Sequence, residues 1–309
     1  MGLKLKSGQA LFTSADTLES STSIALPRAI RLALILLAMI GAALIWHTTR
    51  RYGAGLSPDS VYYVGGARSI ATGTGFASPY DGRPMVIWPP LYPALLALVA
   101  VIFSTDPLLV ASGLNAIVFG LIVYLGGVLT FKHLAASPVL ALMGALSILI
   151  STPLFSVSVM VWSEPLFVLL ALLSLIFAES YLSKQTTTSL VLLSSSVALS
   201  SLTRYIGIAL ILWGVLLILL FSRARLRTRA AHSLLFVLVS TVPLGLWLIR
   251  NYAVSGTLFG PRTSSVHALP QNLSLTLKVV ARWYRVPGVF LDGTFLLMLA
   301  AALVCLLAV

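Results

Sequence analysis

Acidic residues are scarce in this chain. Eight Asp and Glu stand against 20 Lys and Arg in 309 residues, a formal net charge of +12. Charge of either sign is scarce too, since 9% of the residues are charged and 59% are hydrophobic. Soluble domains average about 25% charged residues, so this composition excludes an ordinary water-soluble globule and points to a polytopic membrane protein. Cysteine is nearly absent. The one thiol, Cys305, lies in an apolar run, which excludes a disulfide framework and a cysteine metal site within the chain. His47, His133, His232 and His267 show no paired ligand spacing, so no histidine metal site is expected. There is no GxGxxG pattern and no Walker lysine to cradle a nucleotide. No nucleic-acid-binding motif accompanies the basic excess, and no nucleic acid is expected as a partner. Lysines and arginines scattered between apolar runs fit topogenic charges and contacts to membrane lipids.

A spanning helix needs roughly 20 apolar residues. Ile30–Thr49, Leu108–Phe131, Pro138–Phe155, Pro165–Leu182 and His232–Ile249 qualify. Ser189–Phe221 is too long for one span and carries Arg204 in its middle, so it is split there into two short helices. Thr294–Val309 begins a further span in which the chain stops, giving about eight spans in an all-α membrane bundle. Residues 1–27 read as a polar cytoplasmic tail, because no apolar stretch follows Lys4 and Lys6 as a signal peptide requires. Residues 28–309 read as one transmembrane domain with long loops at 50–107 and 250–292.

The apolar piece Leu91–Phe103, after Trp88-Pro89-Pro90, suits an interfacial or re-entrant helix better than a span. Parity agrees. With the N-terminus inside, a non-spanning Leu91–Phe103 places Lys132, Lys184 and the Arg223–Arg229 cluster inside as well, as the positive-inside rule favours. Asp59, Asp81, Asp106, Glu164 and Asp292 then share the outer side with Arg50, Arg51, Arg68, Arg83, Arg204, Arg250 and Arg262. Most of the few acids thus gather on one face, beside arginines.

The stretch Ser57–Pro93 is the longest polar-rich segment between the first and last apolar runs. Asp59 precedes Val61, Val64, Ala67 and Ile70, whose spacing predicts a short amphipathic helix with Asp59 near its N-cap and Gly73-Thr-Gly75 at its end. Asp59 there is either a plain cap or a carboxylate exposed at the membrane boundary. Glu164 heads a span before Pro165, where it can interact with the helix N-terminus or serve as a second site acid. Arg204 is costly inside a membrane, roughly 2.5–3.5 kcal/mol at a helix centre, so it either snorkels to a headgroup or grips a bound phosphate with its fork. The segment WLIRNYAVSGTLFGPR, with Arg250 and Arg262, reads as an aromatic belt or as further cations for the same anion.

Several of these segments, in order, resemble the GT-C class of polyprenyl-phosphate-sugar-dependent glycosyltransferases, of the protein-mannosyltransferase and aminoarabinose-transferase type (glycosyltransferase family 39). They are PDSVYYVGGARSIATGTGF, WPPLYPALLALV, SEPLFVLLALLSLIFA, LTRYIGIALIL and PLGLWLIRNYAVSGTLFGPR, covering about Ile30 to Arg262. The resemblance implies transfer of a sugar from a polyprenyl-phosphate donor to a lipid, glycan or protein acceptor at the outer face of the plasma membrane. It implies Asp59 as catalytic carboxylate, Glu164 as second acid, and Arg204 as holder of the lipid phosphate, helped by Arg250 or Arg262. Arg68, Asp81 and Arg83 are secondary substrate-contact candidates. Ser60 follows Asp59 where many relatives carry a paired acid. No nucleotide site is required, since a sugar on phosphate already has a good leaving group, and a divalent cation held by Glu164 is admissible as a cofactor. Relatives of this type run longer, so a fragment is one reading of this chain. A transporter or a lipid-binding membrane protein are the rival readings. A transporter should carry acids within several spans, whereas here the outer-face acids sit in loops or at the head of a span.

Overall fold

The computed structural model describes residues 25–134, 136–261 and 265–283. The 1–24 part of the tail, Arg262, Asp292, Cys305 and the expected span Thr294–Val309 lie outside the described residues. Among those described the chain is all helical, with two isolated β-bridges in its loops.

Helix α1 (Arg28–Thr49) lies mainly against α4 (Pro107–His133) and α5 (Pro138–Leu149). Small residues on α4 allow the approach. A Cβ on Gly120 would meet the Ala38 carbonyl oxygen at 2.8 Å, a contact of the kind that draws helices together where lipid removes the hydrophobic drive between them. The expected span Pro138–Phe155 is in fact two pieces, α5 and the short α6 (Thr152–Ser158), bent by 53°. Pro153 at the start of α6 explains the break, since its ring has no N–H to continue the α5 ladder.

Helix α7 (Glu164–Lys184) packs on α4 and on α8 (Thr187–Thr203). The serine-rich face of α8 is buried, yet its hydroxyls are satisfied. Ser194, Ser200 and Ser201 donate to carbonyls of their own helix, and Ser174 Oγ of α7 donates to Ser196 Oγ at 2.9 Å. After Arg204 and a single 3₁₀ turn, Tyr205–Gly207, the chain enters α9 (Ile208–Phe221). The expected split at Arg204 is where the helix breaks. Gly207 lets the two halves close together, because a Cβ there would sit 2.6 Å from the Ser201 backbone nitrogen. Helix α10 (Leu226–Ser255) closes the bundle against α8 and α9.

Among the described residues four helices (α1, α4, α7 and α10) are long and apolar enough to cross a membrane, or five if α5 and α6 form one broken span, and the expected eight spans are not all seen. α8 and α9 are apolar but shorter. Two shorter helices pack at the end of the bundle where α7 begins. α2 (Pro58–Ala71) packs on α3 (Leu91–Ile102), which is 12 residues long. The expected loop at 250–292 contains a helix, α11 (Leu269–Trp283), whose Leu269 and Leu273 are exposed.

Candidate active site

The starts of α2 and α7 lie side by side because the segments before them are tied together. Gly55 N donates to Val159 O at 2.8 Å, and Val161 N donates to Gly55 O at 2.9 Å. Trp162 Nε1 donates to Ser57 Oγ at 2.7 Å. Below this bridge Asn115 of α4, fully buried, donates through Nδ2 to the carbonyls of Ser158 and Met160 and accepts from the Tyr92 hydroxyl at 3.2 Å. A buried amide with its partners in place fixes a loop firmly, since leaving any of them unpaired would cost about 1–3 kcal/mol.

Asp59 therefore enters the site from the first turn of α2, and Glu164 from the first turn of α7. Asp59 is exposed and does not cap its helix. That role belongs to Ser57, whose Oγ accepts from Ser60 N at 3.3 Å. Among the described residues no hydrogen bond or ion pair engages the Asp59 carboxylate. Glu164, by contrast, is paired. Arg204 Nη1 lies 2.5 Å from Glu164 Oε1, with the two side chains 36% and 33% exposed, enough for a ligand at the surface to reach both. The extended backbone of Arg204 between α8 and the 3₁₀ turn aims the guanidinium at the head of α7.

Tyr63 and Ser163 link these groups, and the sequence reading named neither. The buried Tyr63 hydroxyl lies 3.1 Å from Ser163 Oγ, which also accepts from Arg204 Nη1 at 3.3 Å. Burial pushes the Tyr63 hydroxyl up to about 12 against the lowering by the Ser163 hydrogen bond and the Arg204 charge, while Glu164 and Asp59 push it further up. Glu164 and Arg204 are thus joined to this phenol through Ser163, and Asp59 stands one turn before Tyr63 on α2. A usable signal was present: Tyr63 is one helical turn after Asp59, the i,i+4 position on the same face. Aromatic rings wall this corner. Trp88 stacks on Tyr62 at 4.4 Å, and Tyr63 meets Tyr92 edge-on at 5.4 Å.

The remaining candidates are engaged elsewhere. Arg68 forks onto Asp106, with Nε–Oδ2 at 2.8 Å and Nη2–Oδ1 at 3.0 Å, and holds that carboxyl below the usual range while Asp106 caps α4. Asp81 is held low first by the Ser78 hydroxyl and then by Arg83 N, and its ion pair with Arg83 is an exposed contact at 3.6 Å. Arg250 faces protein rather than open space. It donates to Met85 O at 2.5 Å and Phe76 O at 3.4 Å, and its guanidinium lies 4.8 Å over Trp247. Asn251 and Tyr205 both donate to Val86 O, so the 76–86 loop is pinned to the end of α10 from several sides. Arg262 lies outside the described residues. Among the described residues no three His, Cys, Asp or Glu come together to hold a metal ion.

No family model and no curated protein matches the sequence. The fold, however, has a solved counterpart. The chain is similar to a chain of the S. cerevisiae protein O-mannosyltransferase Pmt1–Pmt2 complex bound to the sugar donor, with a TM-score of 0.57 at 16% sequence identity over 76% of this chain. The match spans 35% of that longer chain. The chain therefore shares a helical fold with part of a chain of that O-mannosyltransferase complex.

Proposed function

We propose that the protein is a membrane glycosyltransferase that moves a sugar from a polyprenyl-phosphate donor to an acceptor hydroxyl or amine, with its site on the outer face of the plasma membrane. One observation carries the proposal: an unpaired carboxylate, Asp59, shares a corner with the Tyr63–Ser163–Arg204–Glu164 cluster in a chain with the fold of an O-mannosyltransferase. The transporter reading is weaker, because Asp59 and Glu164 sit at helix starts and not within spans.

In this reading the donor phosphate sits at Arg204, whose remaining N–H groups stabilise the negative charge that grows as the phosphate leaves. Asp59 takes the proton from the acceptor nucleophile. The acceptor atom bonds to the anomeric carbon from the face opposite the phosphate, the carbon–oxygen bond to phosphate breaks, and its electron pair leaves with polyprenyl phosphate. Configuration inverts, and no sugar–enzyme bond forms. Tyr63 and Ser163 are buried and hold Arg204 in place, through the Tyr63–Ser163 hydrogen bond and the bond Arg204 donates to Ser163. Glu164 sets the direction of Arg204 and lies near enough to contact the acceptor. Arg262 remains the sequence candidate for a second cation, whereas Arg250 is better placed to hold the 76–86 loop than to meet lipid. Glu164 is paired with Arg204, and among the described residues no three His, Cys, Asp or Glu gather as ligands, so no step is routed through a metal.

The test is a transfer assay on the reconstituted protein with a panel of polyprenyl-phosphate sugars and mixed acceptors. Release of polyprenyl phosphate matched by labelled product for one sugar is the expected result. No transfer from any donor, by protein that still binds polyprenyl phosphate, would return the chain to the lipid-binding reading.

A further inference from the structure

A cavity of about 920 Å³ lies at the opposite end of the bundle, where α4, α7 and α9 finish. Along α7 the residues that line it, Leu175 to Ser183, come about 17–28 Å of helix after Glu164. Leu129, Leu175, Trp213 and Leu217 give it apolar walls. His133, Glu179 and Arg223 give it a charged rim.

The charges are not balanced. Glu179 is met by Lys132 Nζ at 3.5 Å and faces His133 Nε2 at 3.7 Å. Arg223 is exposed and has no hydrogen bond or ion pair among the described residues. The rim therefore carries an unspent positive charge over an apolar cleft. Arg223 is also held in position. Arg229 donates to Ala224 O at 2.8 Å and Leu219 O at 2.9 Å, which fixes the turn from α9 into α10 beside the cavity. A free anion would satisfy the rim and leave the walls empty. A hydrocarbon would fill the walls and leave Arg223 unpaired. Only a molecule with an anionic head and an apolar tail suits both, at a depth set by the ends of membrane-length helices.

We propose that this cavity is a binding site for an anionic phospholipid of the leaflet opposite the Asp59 site. The phosphate lies at Arg223, and an acyl chain runs along Leu129, Leu175 and Trp213. The neighbouring Arg225 and Arg227 raise the local concentration of anionic lipid. This site is independent of the transferase reading and survives its failure.

Trp213 is a built-in reporter. The whole protein is reconstituted in phosphatidylcholine vesicles containing phosphatidylglycerol or phosphatidylcholine brominated on the acyl chain, at equal mole fraction. The Trp213 signal is the difference between the wild-type protein and Trp213→Phe. It should be quenched about fivefold more effectively by the brominated phosphatidylglycerol, the preference that one added cation confers near anionic lipid. Arg223→Ala should abolish that preference, and inorganic phosphate should leave it intact. Equal quenching by the two lipids would overturn the site, and so would a preference that survives Arg223→Ala. Loss of the preference to inorganic phosphate would make it a free-anion site and equally overturn the proposal. Native mass spectrometry gives a readout without Trp213→Phe: phosphatidylglycerol adducts should persist on the wild-type protein and be lost from Arg223→Ala, and equal retention counts against the site.

Discussion

Arg204 closes on Glu164 at 2.5 Å, and this contact limits what either residue can do alone. A guanidinium already neutralised by a carboxylate attracts a phosphate less than a free one does. A donor phosphate must share Arg204 with Glu164 or displace it.

That relationship predicts opposite effects from the two partners. Arg204→Ala should weaken binding of a short-chain polyprenyl phosphate about tenfold or more, the scale of a lost charge-assisted hydrogen bond. Arg204→Lys should restore only part of it, because an ammonium lacks the fork. Glu164→Gln should strengthen binding, since it frees the guanidinium. Equilibrium binding in detergent measures all three. Weaker binding in Glu164→Gln would mean that Glu164 positions the arginine more than it competes for it.

Tyr63 predicts an alkaline effect on stability. Its hydroxyl is raised from 10.0 to about 12, mainly by burial. The folded state therefore holds this proton more tightly than the unfolded chain. The stability tied to it is fully present below pH 10 and is lost as pH rises through about 12, at about 1.4 kcal/mol per pH unit. Tyr63→Phe should cost about 1 kcal/mol at neutral pH through the lost Ser163 hydrogen bond and should flatten the alkaline decline. Thermal unfolding of both proteins from pH 8 to pH 12 decides this, and parallel curves would exclude a buried, protonated Tyr63.

Arg250 should behave as a structural pin. Arg250→Ala leaves the Met85 and Phe76 carbonyls short of a donor, so the 76–86 loop should be cut faster by protease while polyprenyl-phosphate affinity changes little. A lost affinity with an unchanged cleavage rate would restore Arg250 as a phosphate ligand.

The sequence was most legible where one residue is intolerable in the wrong place. An arginine in a long apolar run has to sit at a break, and α8 ends at Thr203 with Arg204 as its C-terminal cap residue. The bounds of Leu91–Phe103 were legible too, since Trp88-Pro89-Pro90 precedes the helix and α3 ends at Ile102. The cap at Asp59 was less legible, because Ser57 and Asp59 both suit a helix start. Their division of labour depends on Trp162, which draws the Ser57 hydroxyl toward the α7 segment. Tyr63, Ser163 and Arg250 were hidden for a related reason. Their roles come from partners far along the chain, 100 residues away for Tyr63 and Ser163 and 165 for Arg250 and Met85. Periodicity carries no information about such partners.

Topology gives a fourth prediction. Single cysteines near Gly82 and near Leu226, in a Cys305→Ser background, should react with a membrane-impermeant thiol reagent from opposite sides. Gly82 lies in the pinned loop at the Asp59 end, and Leu226 begins α10 beside the arginine cluster. Labelling of both from one side would remove the parity argument and the outer placement of the site.

Asp59 carries the last prediction. The structure separates two roles that fall within three residues of sequence. Ser57 caps α2, so Ser57→Ala should cost about 1 kcal/mol of stability, the usual loss for an N-cap hydroxyl, and should affect turnover only through any shift of α2. Asp59 has no structural partner among the described residues, so Asp59→Asn should unfold at nearly the wild-type temperature and bind donor normally. Its turnover should nevertheless fall on the order of 10²-fold or more, because the amide cannot accept the acceptor's proton. The loss should appear in kcat at saturating donor, since the phosphate is held by Arg204 and not by Asp59. Asp59→Glu retains the base on a longer arm and should recover part of the rate. Near-normal turnover in a folded Asp59→Asn protein would show that this carboxylate is not the base. Tyr63, on the same helix face, would then be a poor substitute, because a hydroxyl raised to about 12 stays protonated at neutral pH.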